Sequence, residues 1–124
     1  MKLQIEKRIW PLNQSFNISR GSKKEAVTVE LKLMHEGNVG RGECVPYSRY
    51  NESAETVLKQ FENIKHDLEN NKINNQNLHD FMKSGSARNA LDCALYDLHF
   101  NKKLCSSWDF FSIPKPQGIK TCYT

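Results

Sequence analysis

The chain is poor in the motifs through which a short sequence betrays its chemistry. Its four cysteines, Cys44, Cys93, Cys105 and Cys122, form no CxxC pair, and none of its histidines (35, 66, 79, 99) stands at zinc-ligand spacing. That argues against a metal site built from this chain, and reduced, mostly buried thiols are expected. No apolar run approaches the roughly 20 residues needed to span a bilayer. The first residues, Met1-Lys2-Leu3-Gln4-Ile5-Glu6, alternate without the apolar stretch of a signal peptide, so a cytoplasmic protein with no membrane partner is expected. Gly40-Arg41-Gly42 lacks a third glycine and precedes no helix, which speaks against a phosphate cradle. No serine or cysteine has a recognisable base beside it, and no catalytic residue is assigned within the chain.

What remains is ordinary globular material. The 124 residues are 38% apolar and 26% charged, which suits one soluble domain burying about two-thirds of its unfolded surface. Residues 2–10 alternate, with Leu3, Ile5 and Ile9 on one face, and Pro11 is expected to end that strand. Residues 25–34 repeat the period through Val27, Val29, Leu31 and Leu33. A turn at His35-Glu36-Gly37-Asn38 leads into a short strand at 39–45, so a three-stranded antiparallel meander is expected.

The period then becomes helical. Ser53 is the expected N-cap of a helix whose stripe is Ala54, Val57, Leu58, Phe61, Ile64 and Leu68. The asparagine-rich run 70–77 reads as a loop, followed by a short helix at 78–83. Ser86 is expected to cap a helix burying Ala87, Ala90, Leu91, Ala94, Leu95 and Leu98, whose alanines admit a close neighbour. The small residues of Gly40-Arg41-Gly42 are read as a strand that another backbone approaches. Glu43, Asp92 and Asp97 are expected to accept structural hydrogen bonds, as carboxylates beside apolar residues need partners. A helical turn is expected around Trp108-Asp109-Phe110-Phe111, and residues 118–124 alternate like the start of a further strand. The class is therefore α+β.

Charge is uneven. The net charge is +4, and residues 1–34 hold seven Lys/Arg against three Asp/Glu, while the remainder holds eleven of each. Residues 16–24 carry three cations and no acid, and read most simply as a solvated basic loop with some attraction for an anion. In Pro46-Tyr47-Ser48-Arg49-Tyr50 the tyrosines either pack sheet onto helix or close over a ligand with Arg49; the pattern leaves both open.

Four blocks, taken together and in order, carry a family resemblance. They are Trp10-Pro11-Leu12, Phe16-x-Ile18-x-Arg20-Gly21-Ser22, Gly42-Glu43-Cys44-x-Pro46-Tyr47-x-Arg49-Tyr50 and Ala87-Arg88-Asn89-Ala90-Leu91-Asp92-Cys93-Ala94-Leu95. They resemble the bacterial L-Ala-D/L-Glu epimerases of the muconate-lactonizing subgroup of the enolase superfamily. The resemblance implies a capping domain over residues 1–117, a three-stranded antiparallel meander followed by a helical bundle, with 118–124 as the start of the first strand of a TIM barrel that is otherwise absent. In the complete family enzyme that barrel supplies two lysines and the acidic ligands of Mg²⁺, which stabilises an enediolate during 1,1-proton transfer. The chain by itself is therefore expected to be inactive and to hold no cofactor.

By residue match the resemblance places Phe16, Ile18, Arg20 and Lys23 in one substrate-covering loop and Arg49 and Tyr50 in another. The substrate, a dipeptide or other small carboxylate, would be held only together with a barrel. Lys23 stands where similar epimerases often carry Arg, a point charge in place of a planar fork. The competing readings are another subgroup enzyme, such as a muconate cycloisomerase, and a free-standing module binding anions or nucleic acid. Nucleic acid is not expected, since three clustered cations come with no stacking platform or recognition helix. Self-association through an exposed barrel-facing surface is expected.

Overall fold

The structure, a computed structural model, describes residues 1–18 and 21–121. Three strands, β1 (Lys2–Ile18), β2 (Gly21–His35) and β3 (Asn38–Cys44), form an antiparallel sheet in the order β1-β2-β3. A 3₁₀ turn, Ser48–Tyr50, precedes α1 (Ala54–Glu69), and α2 (Leu78–Phe81), α3 (Ser86–Lys103) and α4 (Ser107–Phe110) follow. The expected meander and helix order are present. The β2–β3 link is a two-residue turn in which Glu36 (φ 50°) and Gly37 (φ 78°) both take positive φ, the requirement of a type I′ hairpin.

The first two strands are longer than expected. Pro11 does not end β1, which pairs with β2 from Lys2↔Met34 through Pro11↔Glu25 and resumes at Phe16↔Lys23. Proline is tolerated there because β1 is an edge strand, where a missing N–H need break no ladder bond. Between the two paired stretches residues 12–15 stand opposite Lys24 alone, an irregularity that bends the ribbon. Residues 16–24 are thus not a free basic loop. Residues 16–18 and 21–23 are the paired arms of a hairpin projecting beyond the body of the sheet.

One sheet face is apolar and buried: Leu3, Val29, Leu31 and Leu33, with Cys44 at the end of β3. Onto it pack the stripes of α1 (Ala54, Val57, Phe61, Ile64, Leu68) and α3 (Ala87, Ala90, Leu91, Ala94, Leu95, Leu98). Ser53 caps α1 as expected: its Oγ accepts the Thr56 N–H at 3.2 Å, and Thr56 Oγ1 accepts the Ser53 N–H at 2.9 Å. That reciprocal arrangement satisfies two otherwise unpaired donors.

The seam between β3 and α3 is the tightest in the molecule. A Cβ placed on Gly40 would lie 2.2 Å from the Ala94 carbonyl oxygen, and one on Gly42 would lie 2.0 Å from that of Ala90. Glycine on the strand and alanine on the helix are what let the two backbones meet. Asp97 Oδ2 accepts the Arg41 N–H at 2.7 Å, and Asp92 Oδ1 accepts from Asn75 Nδ2 at 2.8 Å. Asp97 thus has the backbone partner expected of it, Asp92 is met by a side chain instead, and among the described residues no hydrogen bond to the Glu43 carboxylate is found.

The 70–77 segment is a loop held by its own side chains. Asn74 Oδ1 accepts the Gln76 N–H at 2.8 Å, Asn77 Oδ1 accepts the Asn74 N–H at 2.8 Å, and Asn77 Nδ2 donates to the Lys72 carbonyl at 2.9 Å. Asparagine suits this because its short amide can replace backbone partners. Ile73, which the sequence reading left inside an undifferentiated loop, is buried in the core.

The cap of α3 and the burial of the cysteines also differ from expectation. Gly85, not Ser86, is the N-cap of α3; glycine has no side chain to cap with, and the first turn is served from elsewhere, by Glu52. Residues 113–121 have no regular structure, and residues 122–124 lie outside the described residues. Of the cysteines, Cys44 is buried but Cys93 is exposed on α3 and Cys105 partly so, fewer buried thiols than expected; all three are free, and Cys122 lies outside the described residues. Among the described residues no helix is long and apolar enough to cross a membrane.

Candidate functional site

The projecting β1–β2 hairpin and the segment from β3 to the start of α1 face each other across an open cleft of about 1130 Å³. The hairpin wall includes Phe16 and Lys23, which are register partners, and the opposite wall includes Tyr47, Ser48, Glu52 and Glu55. Each wall follows from local sequence. The hairpin is displaced from the sheet body by the irregularity at 12–15. The opposite wall turns through the 3₁₀ element because Asn51 adopts a left-handed conformation (φ 57°), after which Glu52 and the cap Ser53 lead into α1.

The walls touch through side-chain tips. Lys23 Nζ stands over the Tyr47 ring, 5.4 Å from its centroid, within the range of a cation–π contact. Tyr47 in turn lies against Tyr50, with centroids 6.0 Å apart and planes tilted by 55°. Lower in the cleft, Lys7 Nζ is 2.7 Å from Glu55 Oε1. The hydrogen bond from Lys7, with one from the backbone, lowers the Glu55 carboxyl to about 2, and it stays ionised across the physiological range.

Of the six residues proposed for substrate contact, the structure places four side chains. Phe16 and Lys23 lie on the hairpin, Arg49 and Tyr50 on the 3₁₀ turn, and all four are exposed. Phe16 and Lys23 line the cleft itself, whereas Arg49 and Tyr50 sit at its rim on the turn that carries Tyr47. Ile18 ends β1 opposite Gly21, and Arg20 lies outside the described residues. The sequence reading left Tyr47 undecided between packing and binding. Its half-buried ring bridges Lys23 and Tyr50, so it belongs to the cleft wall. Glu52 was missed altogether, because its partner is 34 residues away.

The cleft is lined by three lysines and three glutamates beside aromatic rings; with Lys7 paired to Glu55, Lys23 and the ring faces are what it offers a small anion with an apolar portion. Among the described residues no three His, Cys, Asp or Glu side chains gather as a metal ion requires, so this donor set does not fit Mg²⁺.

Comparison with known proteins agrees with this fold. Residues 1–109 match the family model described as the mandelate racemase / muconate lactonizing enzyme N-terminal domain. The L-Ala-D/L-Glu epimerase of Escherichia coli is 38% identical over 122 residues, which are 98% of this chain and 38% of that protein. The L-Ala-D/L-amino acid epimerase of a Maribacter species is 29% identical over 87% of this chain and 34% of its own length. Among solved structures, an enolase family member from Agrobacterium tumefaciens with homology to dipeptide epimerases, determined with sodium and L-Ala-L-Glu, superposes with a TM-score of 0.83. It is 36% identical and is matched over 90% of this chain and 34% of that one. The chain thus spans about a third of the length of these relatives. With a capping-domain fold, a matching family model over most of its residues and epimerases as its relatives, the chain belongs to the mandelate racemase / muconate lactonizing enzyme N-terminal domain family of the enolase superfamily.

Proposed function

We propose that this domain is the specificity and lid element of a Mg²⁺-dependent L-Ala-D/L-Glu dipeptide epimerase. Residues 1–117 form the lid, and 118–124 lead into the first strand of a barrel. The observation that carries the reading is the cleft between the hairpin and the 3₁₀ turn, in a chain 38% identical to the E. coli epimerase. Phe16, Ile18, Arg20 and Lys23 would approach the substrate from the hairpin, and Arg49 and Tyr50 from the turn.

The division of labour follows from the donor set. The barrel would supply the proton-transferring lysines and, with Mg²⁺, stabilisation of the enediolate. This chain's residues would exclude water and recognise the side chain remote from the reacting carbon. Lys23, already beside the Tyr47 ring, is the cation best placed to meet a distal carboxylate. The apolar shelf where Phe110 and Phe111 pack on Tyr96 and Phe100, half-exposed here, is the surface proposed to face the barrel. Left uncovered, such a shelf favours self-association, which sedimentation equilibrium at tens of micromolar would register as a dimer.

Two measurements test the reading together. Incubated with L-Ala-L-Glu and Mg²⁺ in D₂O, this chain alone should exchange no deuterium at the glutamate α-carbon above a protein-free control. A chimera in which it replaces the matched third of the E. coli enzyme should epimerise L-Ala-L-Glu. A folded chimera that turns over a muconate-like diacid and ignores the dipeptide overturns the substrate class.

A further inference from the structure

The first turn of α3 lacks a cap of its own. Gly85 occupies the N-cap position without a side chain, and no side-chain cap bond is made there. The first amides of a helix are unpaired donors at its positive end, and they need an acceptor. It comes from across the fold. Glu52 Oε1 accepts the Ser86 N–H at 2.8 Å, and Ser86 Oγ donates to Glu52 Oε2 at 2.5 Å. Both carboxylate oxygens are engaged by one residue, which fixes the direction of the side chain as well as its end. The approach requires the absence of a side chain at 85, since a Cβ there would lie 2.6 Å from Glu52 Oε1.

Glu52 occupies a sensitive place in the chain. It follows Asn51, whose left-handed conformation closes the 3₁₀ turn, and precedes Ser53, the cap of α1. The turn itself is held by little: the Tyr50 N–H donates to the Tyr47 carbonyl at 2.9 Å and the Asn51 N–H to the Ser48 carbonyl at 3.0 Å. The segment 45–51 therefore has β3 at one end, the α1 cap at the other, and a single side-chain anchor beside the turn reaching a second helix. That anchor is Glu52.

We propose that Glu52 is a positioning residue, a latch that ties the Tyr47–Tyr50 turn to the N-terminus of α3 and so sets where the Tyr47 ring meets Lys23. Its bearing on substrate selection rests on the lid reading above; the latch itself is a statement about this chain alone. An ordinary helix cap would affect only the helix it caps. A latch also orders the turn, and the difference is measurable.

The test is residue-resolved amide exchange and ¹⁵N relaxation on the whole chain. Glu52→Ala should accelerate exchange at Tyr50 and Asn51 by roughly tenfold or more, the loss expected for charge-assisted hydrogen bonds, and should weaken the through-space contact between Lys23 and the Tyr47 ring. Glu52→Gln keeps a carbonyl acceptor for the Ser86 N–H and should preserve most of the order. Ser86→Ala removes only the hydroxyl bond and should give a smaller change of the same kind. The latch is overturned if Glu52→Ala speeds exchange at 86–89 and leaves 45–51 and the Lys23–Tyr47 contact unchanged. If Glu52→Ala does not fold, Ser86→Ala decides, and no change at Tyr50 and Asn51 in that variant sinks the proposal. An inactive chimera with an intact latch would count against the lid reading alone.

Discussion

The β3–α3 seam and the cleft under the hairpin are joined by one strand, yet they are built from opposite materials. At the seam Gly40 and Gly42 meet Ala90 and Ala94 with almost no side chain between the backbones. In the cleft Lys23 reaches the Tyr47 ring and Lys7 reaches Glu55 across open space, touching by their tips. Short residues leave a contact no freedom to rearrange, because backbone meets backbone. Long ones leave room for something else to enter and for the walls to move. The domain thus keeps its rigidity where residues are smallest and its adaptability where they are longest, and Glu52 joins the two by tying the cleft's turn to the helix of the seam.

The comparison breaks first at the seam. Gly42→Ala puts a methyl carbon 2.0 Å from the Ala90 carbonyl oxygen, where no rotamer can relieve it and α3 must shift. A loss of about 3 kcal/mol is expected, at the upper end of overpacking costs and a large part of a small domain's stability. Urea unfolding measures it; a loss under about 1 kcal/mol would show the seam to be loose.

Cys44, buried at the end of β3, sharpens the same side. Burial, reinforced by the nearby Glu52 and Glu43 charges, pushes its thiol up to about 11 from 9.0. The unfolded chain then ionises first, so this contribution is present below pH 9 and is lost as pH rises towards 11. At 1.36 kcal/mol per unit, roughly 2–3 kcal/mol is at stake. Because lysines and tyrosines titrate in the same range, the quantity to measure is the difference in urea midpoint between wild type and Cys44→Ala from pH 8 to 11. A constant difference would exclude the effect. Between the two regions lies the α1 cap: Ser53→Ala should cost about 1 kcal/mol, read in the same way.

These regions were not equally legible in the sequence. Alternation and helical spacing were enough for the core stripes and for Ser53, because each rests on residues a few positions apart; small residues marked both Gly40-Arg41-Gly42 and the alanine face of α3 for a close approach, but not to each other, since they lie about 50 positions apart. The hairpin arms at 16–18 and 21–23 were misread as a loop. Their composition is polar and follows a proline, and only the partner strand decides that such residues pair. Ser86 was assigned a cap that Glu52 provides from 34 residues away; the one local hint was a glycine ahead of a helix in need of an acceptor. Phe16, Lys23, Arg49 and Tyr50 came from resemblance and not from pattern, and Tyr47 was left open because a tyrosine after a strand reads the same whether it packs or binds.

The smallest effect on stability is expected at Lys23, and its smallness is the point. Lys23 is exposed, its backbone is held by pairing with Phe16, and its side chain meets the fold only at the Tyr47 ring. An exposed cation–π contact is worth about 0.5–1 kcal/mol, part of which a flexible lysine forfeits in ordering its stem. Lys23→Ala should therefore shift the melting temperature by less than about 3 °C. In the barrel-carrying chimera the same change should behave differently. If Lys23 meets a distal carboxylate, kcat/KM for L-Ala-L-Glu should fall about tenfold, the range of a partly exposed charged contact, while an uncharged dipeptide of similar size is turned over as before. Lys23→Arg should restore the acidic substrate, since a planar fork can take the same carboxylate. Equal losses on both substrates would make Lys23 part of the hairpin's structure and remove it from substrate choice. A stability loss above about 1 kcal/mol would do the same from the other side, by showing that the cleft, like the seam, is held by what fills it.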